Sequence, residues 1–332
     1  MATRDDIAKL AGVSSATVSR VINHKDNVSD ELREKVLAAV RELDYRPNIN
    51  AKGLKTNKTY RIAYIIPDVT NPYYTEIYKG INEYAFSQGY STLLFQPTAE
   101  TWYETFFNNP VDGLILAIDL STPLKQLLRT IKIPVVHQTL YKPDNDPKEF
   151  KYKTVSHDIE SAVLKIIQLL HGAKHTKIAL ITKKGENHDM LLKSYIKAMK
   201  KYNLPYDAHQ IVSYESENYN YFPGYESMIR LIKNRPDVTA VIANNDLTAI
   251  GAMSAAAAYG FCIPRDFSFI GINDSVAARY SNPSLSCVKL YKYQQGNISG
   301  RMLLDMIADK EVASVEFETE FVLRKSTQGI TK

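Results

Sequence analysis

Two hydrophobic rhythms divide the chain. Over the first 45 residues apolar side chains recur at three- and four-residue spacing, the period of a helix. Ile7, Ala8, Leu10 and Ala11 give one short helix an apolar face, Val18, Val21 and Ile22 a second, and Leu32, Val36, Val40 and Leu43 a third. From Tyr60 onward apolar residues gather instead into near-continuous runs: RIAYIIP, STLLF, VDGLILAI, IPVVH, KIALIT, QIVSY, TAVIAN and FSFIGI. Such runs suit parallel strands buried on both faces. Helix-length segments separate them, so the pattern predicts a mostly parallel, doubly wound α/β architecture, and its length predicts two lobes. Ligands of such sheets sit beyond the carboxyl ends of the strands, here in the cleft between lobes.

The joint between the first two helices is Gly12-Val13-Ser14. Glycine tolerates the positive φ of a sharp turn, and Ala8 is small enough to let the helices cross closely. Ser14 or Ser15 can cap the second helix through its hydroxyl, and Ser29 can cap the third. The second helix then exposes Ser15, Ala16, Thr17, Ser19 and Arg20, small hydroxylated residues plus one cation. That face suits a DNA major groove, with hydroxyls on phosphates and Arg20 on a guanine edge. An ordinary helical hairpin with no DNA role would share the turn.

Charge agrees with the DNA reading. The 332 residues carry a net charge of +5. Residues 1–60 hold eleven Lys or Arg against eight Asp or Glu, an excess of three. Two cysteines, Cys262 and Cys287, are too few for a disulfide framework, so a reducing cytoplasm is the expected compartment. Neither a secretion signal nor a membrane span is expected, because no apolar stretch is long enough.

After Pro47 comes INAKGLKTNKT, polar and basic with one large aliphatic residue, Leu54. It reads either as a flexible linker or as a short helix that orders on DNA with Leu54 wedged into the minor groove. At this point AGVSSATVSRVIN, NVSDELREKVLAAVRELDYRPN and the AKGL segment together resemble the headpiece and hinge of the lactose-repressor (LacI/GalR) family. The resemblance continues through IIPDVTNPYYTEIYKGI, VDGLIL, ANNDLTAIGA, IPRDFSFIGIND, RYSNPSLSCV and ETEFVLRKST, which look like the periplasmic-binding-protein-like core of the same repressors. It implies a helix-turn-helix headpiece over 1–46, a hinge over 47–59 and an effector-binding, dimerising core over 60–332. In that fold the chain crosses between lobes three times. Crossings near Asp158, Val288 and Glu318 make lobe one 60–157 plus 289–317 and lobe two 158–288 plus 318–332.

The DNA-contacting candidates of the headpiece are Thr3, Ser14, Ser15, Ala16, Thr17, Ser19, Arg20, Asn23 and Ser29. Those of the hinge side are Asn48, Lys52, Leu54 and Lys55. For the effector the resemblance implies Asn71, Tyr73 and Tyr74 in the first lobe, with Asp158, Tyr219 and Asp246 in the second. Asp246 could equally be a helix N-cap, and the tyrosines ordinary surface in a chain holding 22 of them. The family's arginine in the helix after KIALIT is Leu191 here, its Asp-Arg after IPVV is Thr139-Leu140, and the first acid of its GFDD-type turn is Asn273. The cleft is therefore expected to take a neutral effector, a sugar or a related compound, anchored by Asp246 and Asp158.

His171 and His175 straddle the helix-ending Gly172, so a metal pair is not expected, nor is any cofactor. No phosphate loop or nucleophilic constellation stands out, and no enzymatic role is expected. The sequence reads as a cytoplasmic, homodimeric transcriptional repressor of a pseudo-palindromic operator, controlled by a small metabolite. A regulator governed by a corepressor or partner protein, or a ligand-binding protein without DNA function, are the alternatives.

Overall fold

The computed structural model describes residues 2–22, 27–45, 56, 58–97, 106, 109–118, 120, 122–141, 152–215 and 220–329. The chain forms two compact units that meet in sequence between Thr59 and Tyr60.

The N-terminal unit has three helices. Thr3 caps α1 (Arg4–Ala11) in a reciprocal box: its hydroxyl accepts from the Asp6 amide at 3.3 Å while Asp6 accepts from the Thr3 amide at 2.8 Å. Gly12 ends α1 in the left-handed region at φ 64°, the conformation a tight turn needs. The Ser14 hydroxyl accepts from the Thr17 amide at 3.2 Å and opens α2 (Ser15–Ile22). Ser29 does the same for α3 (Asp30–Glu42) through the Leu32 amide. Ile7, Ala8, Val18, Val21, Val36 and Ala39 form the core of this unit. Leu10 and Leu32, placed on the apolar faces by their spacing, are 47% and 37% exposed. Three short helices enclose too small an interior to cover every residue of an apolar stripe.

The second unit contains two sheets. In lobe one, β1 (Arg61–Ile65) leads to α4 (Pro72–Ser87), β2 (Ser91–Phe95), β3 (Gly113–Leu116), α5 (Thr122–Thr130), β4 (Val135–Gln138) and β5 (Tyr152–His157). The chain then enters lobe two with α6 (Ile159–Gly172), β6 (Ile178–Lys183), α7 (Glu186–Lys201), β7 (Ile211–Tyr214), α8 (Phe222–Asn234), β8 (Ala240–Ala243), α9 (Asp246–Ala258), β9 (Ser268–Asn273), α10 (Val276–Tyr280) and β10 (Ser286–Lys289). It returns to lobe one with α11 (Lys292–Ile307) and β11 (Val315–Phe317), and ends in lobe two on β12 (Glu320–Val322).

The first sheet has strand order β11-β5-β4-β3-β1-β2 and the second β12-β10-β9-β8-β6-β7. Every pairing is parallel except β12 against β10, where Cys287 faces Val322. This is the doubly wound, two-lobed architecture that the alternation of apolar runs implied. Helices cover both faces of each sheet, and Ile62, Ile65, Ile115, Leu180, Ile242 and Ile270 are fully buried. Among the described residues no helix is long and apolar enough to cross a membrane.

Glycine lets α4 and α11 touch backbone to backbone. A Cβ on Gly80 would lie 2.2 Å from the Tyr293 carbonyl, and one on Gly296 would lie 2.0 Å from that of Ile77. This contact sets the first turns of both helices beside the carboxyl ends of the lobe-one strands, where the cleft opens.

Candidate functional site

On the headpiece, α2 turns Val18 and Val21 into the core, so the other side faces outward. Ser14, Ser15, Ala16 and Arg20 are exposed, as are Thr3 and Ser29, while Thr17 and Ser19 are half-buried. Several of these hydroxyls have partners within the headpiece. Ser15 donates to Asp5 of α1 at 2.6 Å, and Ser14 and Thr17 share a hydrogen bond of 3.0 Å. The Thr3 hydroxyl belongs to its capping box. Arg20 stands on this face as its cation. Asn23, Asn48, Lys52, Leu54, Lys55 and the effector candidate Tyr219 lie outside the described residues.

In the core a cavity of about 110 Å³ opens where the strands of both lobes end. Lobe one lines it with Pro67, Asn71, Tyr73, Tyr74, Ala117, Ile118, Gln138, Thr139 and Leu140. Lobe two contributes Lys183, Asn244, Asn245 and Asn273. Apart from Tyr73 and Tyr74, which stand in the first turn of α4, each is the last residue of a strand or lies in the loop that follows it, where a doubly wound fold presents side chains to a ligand.

The structure brings Asn71, Tyr73 and Tyr74 together. Asn71 caps α4 by accepting from the Tyr73 amide at 3.0 Å, and Pro72 opens the helix with its φ preset. The two tyrosine rings meet edge to face at 5.0 Å, and Tyr73 donates to Gln295 at 3.4 Å. On the other wall Asn245 caps α9 through the Thr248 amide at 2.9 Å. Tyr214 holds Asn244 at 3.1 Å from below.

The two acids expected to anchor the effector are used elsewhere. Asp246 is 1% exposed and does not line the cavity. Its carboxylate accepts from the Ser275 amide at 2.6 Å and from the Cys287 thiol at 3.3 Å, and burial pushes its pKa up. The cap of α9 is its neighbour Asn245, one position earlier. Asp158 caps α6 by accepting from the Ser161 amide at 3.0 Å, beside the chain crossing, and it too is absent from the lining. Leu191, at the family's arginine position, is 3% exposed in the lobe-two core. Thr139, Leu140 and Asn273, at the other departures from the family pattern, do line the cavity.

Four polar lining residues escaped the sequence reading, Gln138, Lys183, Asn244 and Asn245, as did the apolar Pro67, Ala117 and Ile118. Their signal is positional, since each closes an apolar run or stands immediately after one. Among the described lining residues Lys183 is the one with a formal charge, in a cleft whose charged anchors were expected to be Asp246 and Asp158. It ends β6 and is half-buried.

Comparison with known proteins bears on both sites. Residues 3–48 match the description of bacterial regulatory proteins of the lacI family, and residues 167–327 match a periplasmic binding protein-like domain. The HTH-type transcriptional repressor PurR of Mannheimia succiniciproducens is 31% identical, with 99% of this chain and 100% of that protein covered. Catabolite control protein A of Streptococcus mutans is 31% identical over 98% of this chain and 97% of its own length. Among solved structures, a complex of the transcriptional regulator CelR with cellobiose aligns at a TM-score of 0.73 and 27% identity, covering 98% of this chain and all of that one. A lac repressor dimer bound to operator and the anti-inducer ONPF aligns at 0.82 over 98% of this chain and 99% of its own, at 24% identity, and shows the shared fold.

Proposed function

The chain belongs to the lacI family of bacterial regulatory proteins, and we propose that it is a cytoplasmic, homodimeric repressor that reads a pseudo-palindromic operator and answers to a small metabolite. The observation that carries this reading is the union in one chain of two parts. A helix-turn-helix headpiece exposes Arg20 on its second helix, and a two-lobed core holds a strand-end cavity. Headpiece 1–46, hinge 47–59 and core 60–332 are the divisions that go with it. A two-fold pair of headpieces matches a two-fold operator, each α2 in a major groove.

The metabolite belongs in the cleft, against Asn71, Tyr73, Tyr74, Gln138 and the asparagines of lobe two. Aromatic rings beside carboxamides suit a hydroxylated ring compound, stacked on one face and hydrogen-bonded at its rim. The cellobiose complex of CelR supports a ligand of the sugar class. Effector control then requires that the ligand bind two arrangements of the core unequally.

The deciding experiment is a gel shift on DNA upstream of the protein's own operon, against random DNA of equal length at one fixed salt concentration. A retarded species formed on the upstream DNA alone, at protein concentrations that leave random DNA free, is the expected result. Equal retardation of both would end the regulator reading.

A further inference from the structure

Carboxamides line much of the cleft, and one of them is in a different condition from its neighbours. Asn71 already accepts from the Tyr73 amide, Asn244 from the Tyr214 hydroxyl and Asn245 from the Thr248 amide. The side-chain oxygen of each therefore holds a donor supplied by the protein. Gln138, the last residue of β4, lines the same cavity and is 6% exposed. Its Oε1 is buried with no donor among the described residues.

The way this carboxamide faces is fixed from α11. Gln138 Nε2 donates to the Ser299 hydroxyl at 2.8 Å, and that hydroxyl donates onward to the Gln295 carbonyl, one turn earlier, at 2.8 Å. Ser299 spends its single proton there and serves Gln138 as an acceptor, so the amide end must face it. Turning the carboxamide over would set two acceptors against each other. Ser299 and the Gln295 residue are themselves fully buried, so the arrangement does not exchange with bulk water. The oxygen is thus the end of Gln138 left over, and a buried acceptor in that condition is costly until something donates to it. An apolar side chain of the same length would occupy the place without that cost.

We propose that Gln138 is a specificity residue of the cleft: its Oε1 accepts a hydrogen bond from one hydroxyl of a ring-shaped, polyhydroxylated ligand. The demand is for a donor. A hydrogen, a fluorine or a methyl ether in place of that hydroxyl supplies none and leaves the acceptor unmet in the complex. Sites built to pair with a hydroxyl discriminate far more steeply than sites that only enclose an apolar group. The inference rests on the cleft being the effector site, and it narrows the sugar class to members with a free hydroxyl at the Gln138 position.

The test uses the full chain. Calorimetry against cellobiose, glucose, ribose and further neutral hexoses and pentoses finds a sugar that binds. Its monodeoxy, monodeoxyfluoro and mono-O-methyl derivatives are then titrated one ring position at a time. At one position the deoxy and deoxyfluoro derivatives are both expected to bind roughly ten- to a hundredfold more weakly than the parent. Gln138→Met keeps the length of the side chain and removes both polar atoms. In that variant the parent and these two derivatives should bind within about twofold of one another, while gaps at other positions persist. Its melting curve checks that it is folded, and the wild-type series is decisive without it. The proposal falls if no position shows such a gap, or if the deoxyfluoro derivative binds like the parent at every position, because fluorine accepts but cannot donate. It falls equally if Gln138→Met keeps the gap, or if no sugar of the panel binds. Operator retardation is scored on the same preparations. Specific DNA binding without the gap removes this inference alone, whereas loss of specific DNA binding removes the regulator reading beneath it.

Discussion

Arg20 and His157 show how differently single residues can be constrained. Arg20 is exposed on a helix whose neighbouring hydroxyls are tied to one another or to Asp5, so it is the side chain free to reach a base edge. Arg20→Ala should weaken specific operator binding by about 1–3 kcal/mol and relax discrimination at one base pair per half-site. Titrations on wild-type and singly altered operators check this; equal loss on random DNA would make Arg20 a phosphate contact. His157 is the opposite case: 1% exposed, its ring centroid 5.6 Å from that of Phe317 with the planes tilted 31°, and neither ring nitrogen partnered among the described residues. Burial, and then the nearby Lys292 charge, lowers its pKa to about 4. His137 is lowered to about 4 as well, chiefly by burial. Both folded values lie below the ordinary 6.5, so the unfolded chain binds more protons between those limits. The stability contributed by keeping each imidazole neutral is present above about 6.5 and lost as pH falls toward 4, at up to about 1.4 kcal/mol per pH unit for each. His157→Phe should remove one proton's worth of that slope while leaving stability at pH 7.5 unchanged or higher. Urea midpoints at about pH 5 and pH 7.5 decide it.

Among the elements, the α4–α11 pair is the most tightly specified. The reciprocal approach of Gly80 and Gly296 to carbonyls of the facing helix leaves no room for a methyl group. Gly80→Ala or Gly296→Ala should cost the core about 1–3 kcal/mol or more, despite alanine's better helix propensity. A fall in the denaturation midpoint of either variant is the readout; an unchanged or raised midpoint would mean the helices separate at little cost. That packing could not be read along the chain, because a glycine inside a helical stretch looks like a weakness until its neighbour is known. Helix starts were more legible. Ser14 and Ser29 cap the helices their local sequence announces, since a cap needs only an amide two or three residues on. Leu10 and Leu32 were misjudged for the converse reason: spacing gives a stripe's direction, while its coverage depends on how much protein packs against it.

At the scale of the whole molecule, the two lobes are pinned by one buried lysine. Lys292, at the start of α11 in lobe one, donates to the Asn273 and Asp274 carbonyls of lobe two at 2.8 and 3.4 Å, and pairs with Glu76 of α4 at 3.2 Å. Asn273 lines the cleft, so this clasp joins the ligand wall to the lobe-one helices. Lys292→Met should lower core stability by about 2–3 kcal/mol and broaden the unfolding transition as the lobes lose cooperativity, seen by calorimetry. A sharp transition at the wild-type temperature would mean the clasp is dispensable. Leu54→Ala belongs to the same scale, because it tests how the chain meets DNA as a unit. If Leu54 wedges into the minor groove, operator affinity falls while the melting temperature of the free protein stays nearly constant. A mere tether predicts no change in isotherms taken at fixed salt.

What the sequence determined by itself was local or periodic. Three capped helices with apolar stripes, buried runs alternating with helices, and a cleft at the strand ends all follow from interactions a few residues long or from a repeating pattern. What only the tertiary structure decided was which strand-end side chains enter the cleft. Asn245 and Asp246 are adjacent, yet a helix start turns successive side chains by about 100°, so one lines the cavity while the other goes to Ser275 and Cys287, far along the chain. Lys183 and Leu191 are separated in the same way: the strand end projects into the cleft and the helix position packs inward. Those directions are set by partners distant in sequence, and no spacing along the chain encodes them.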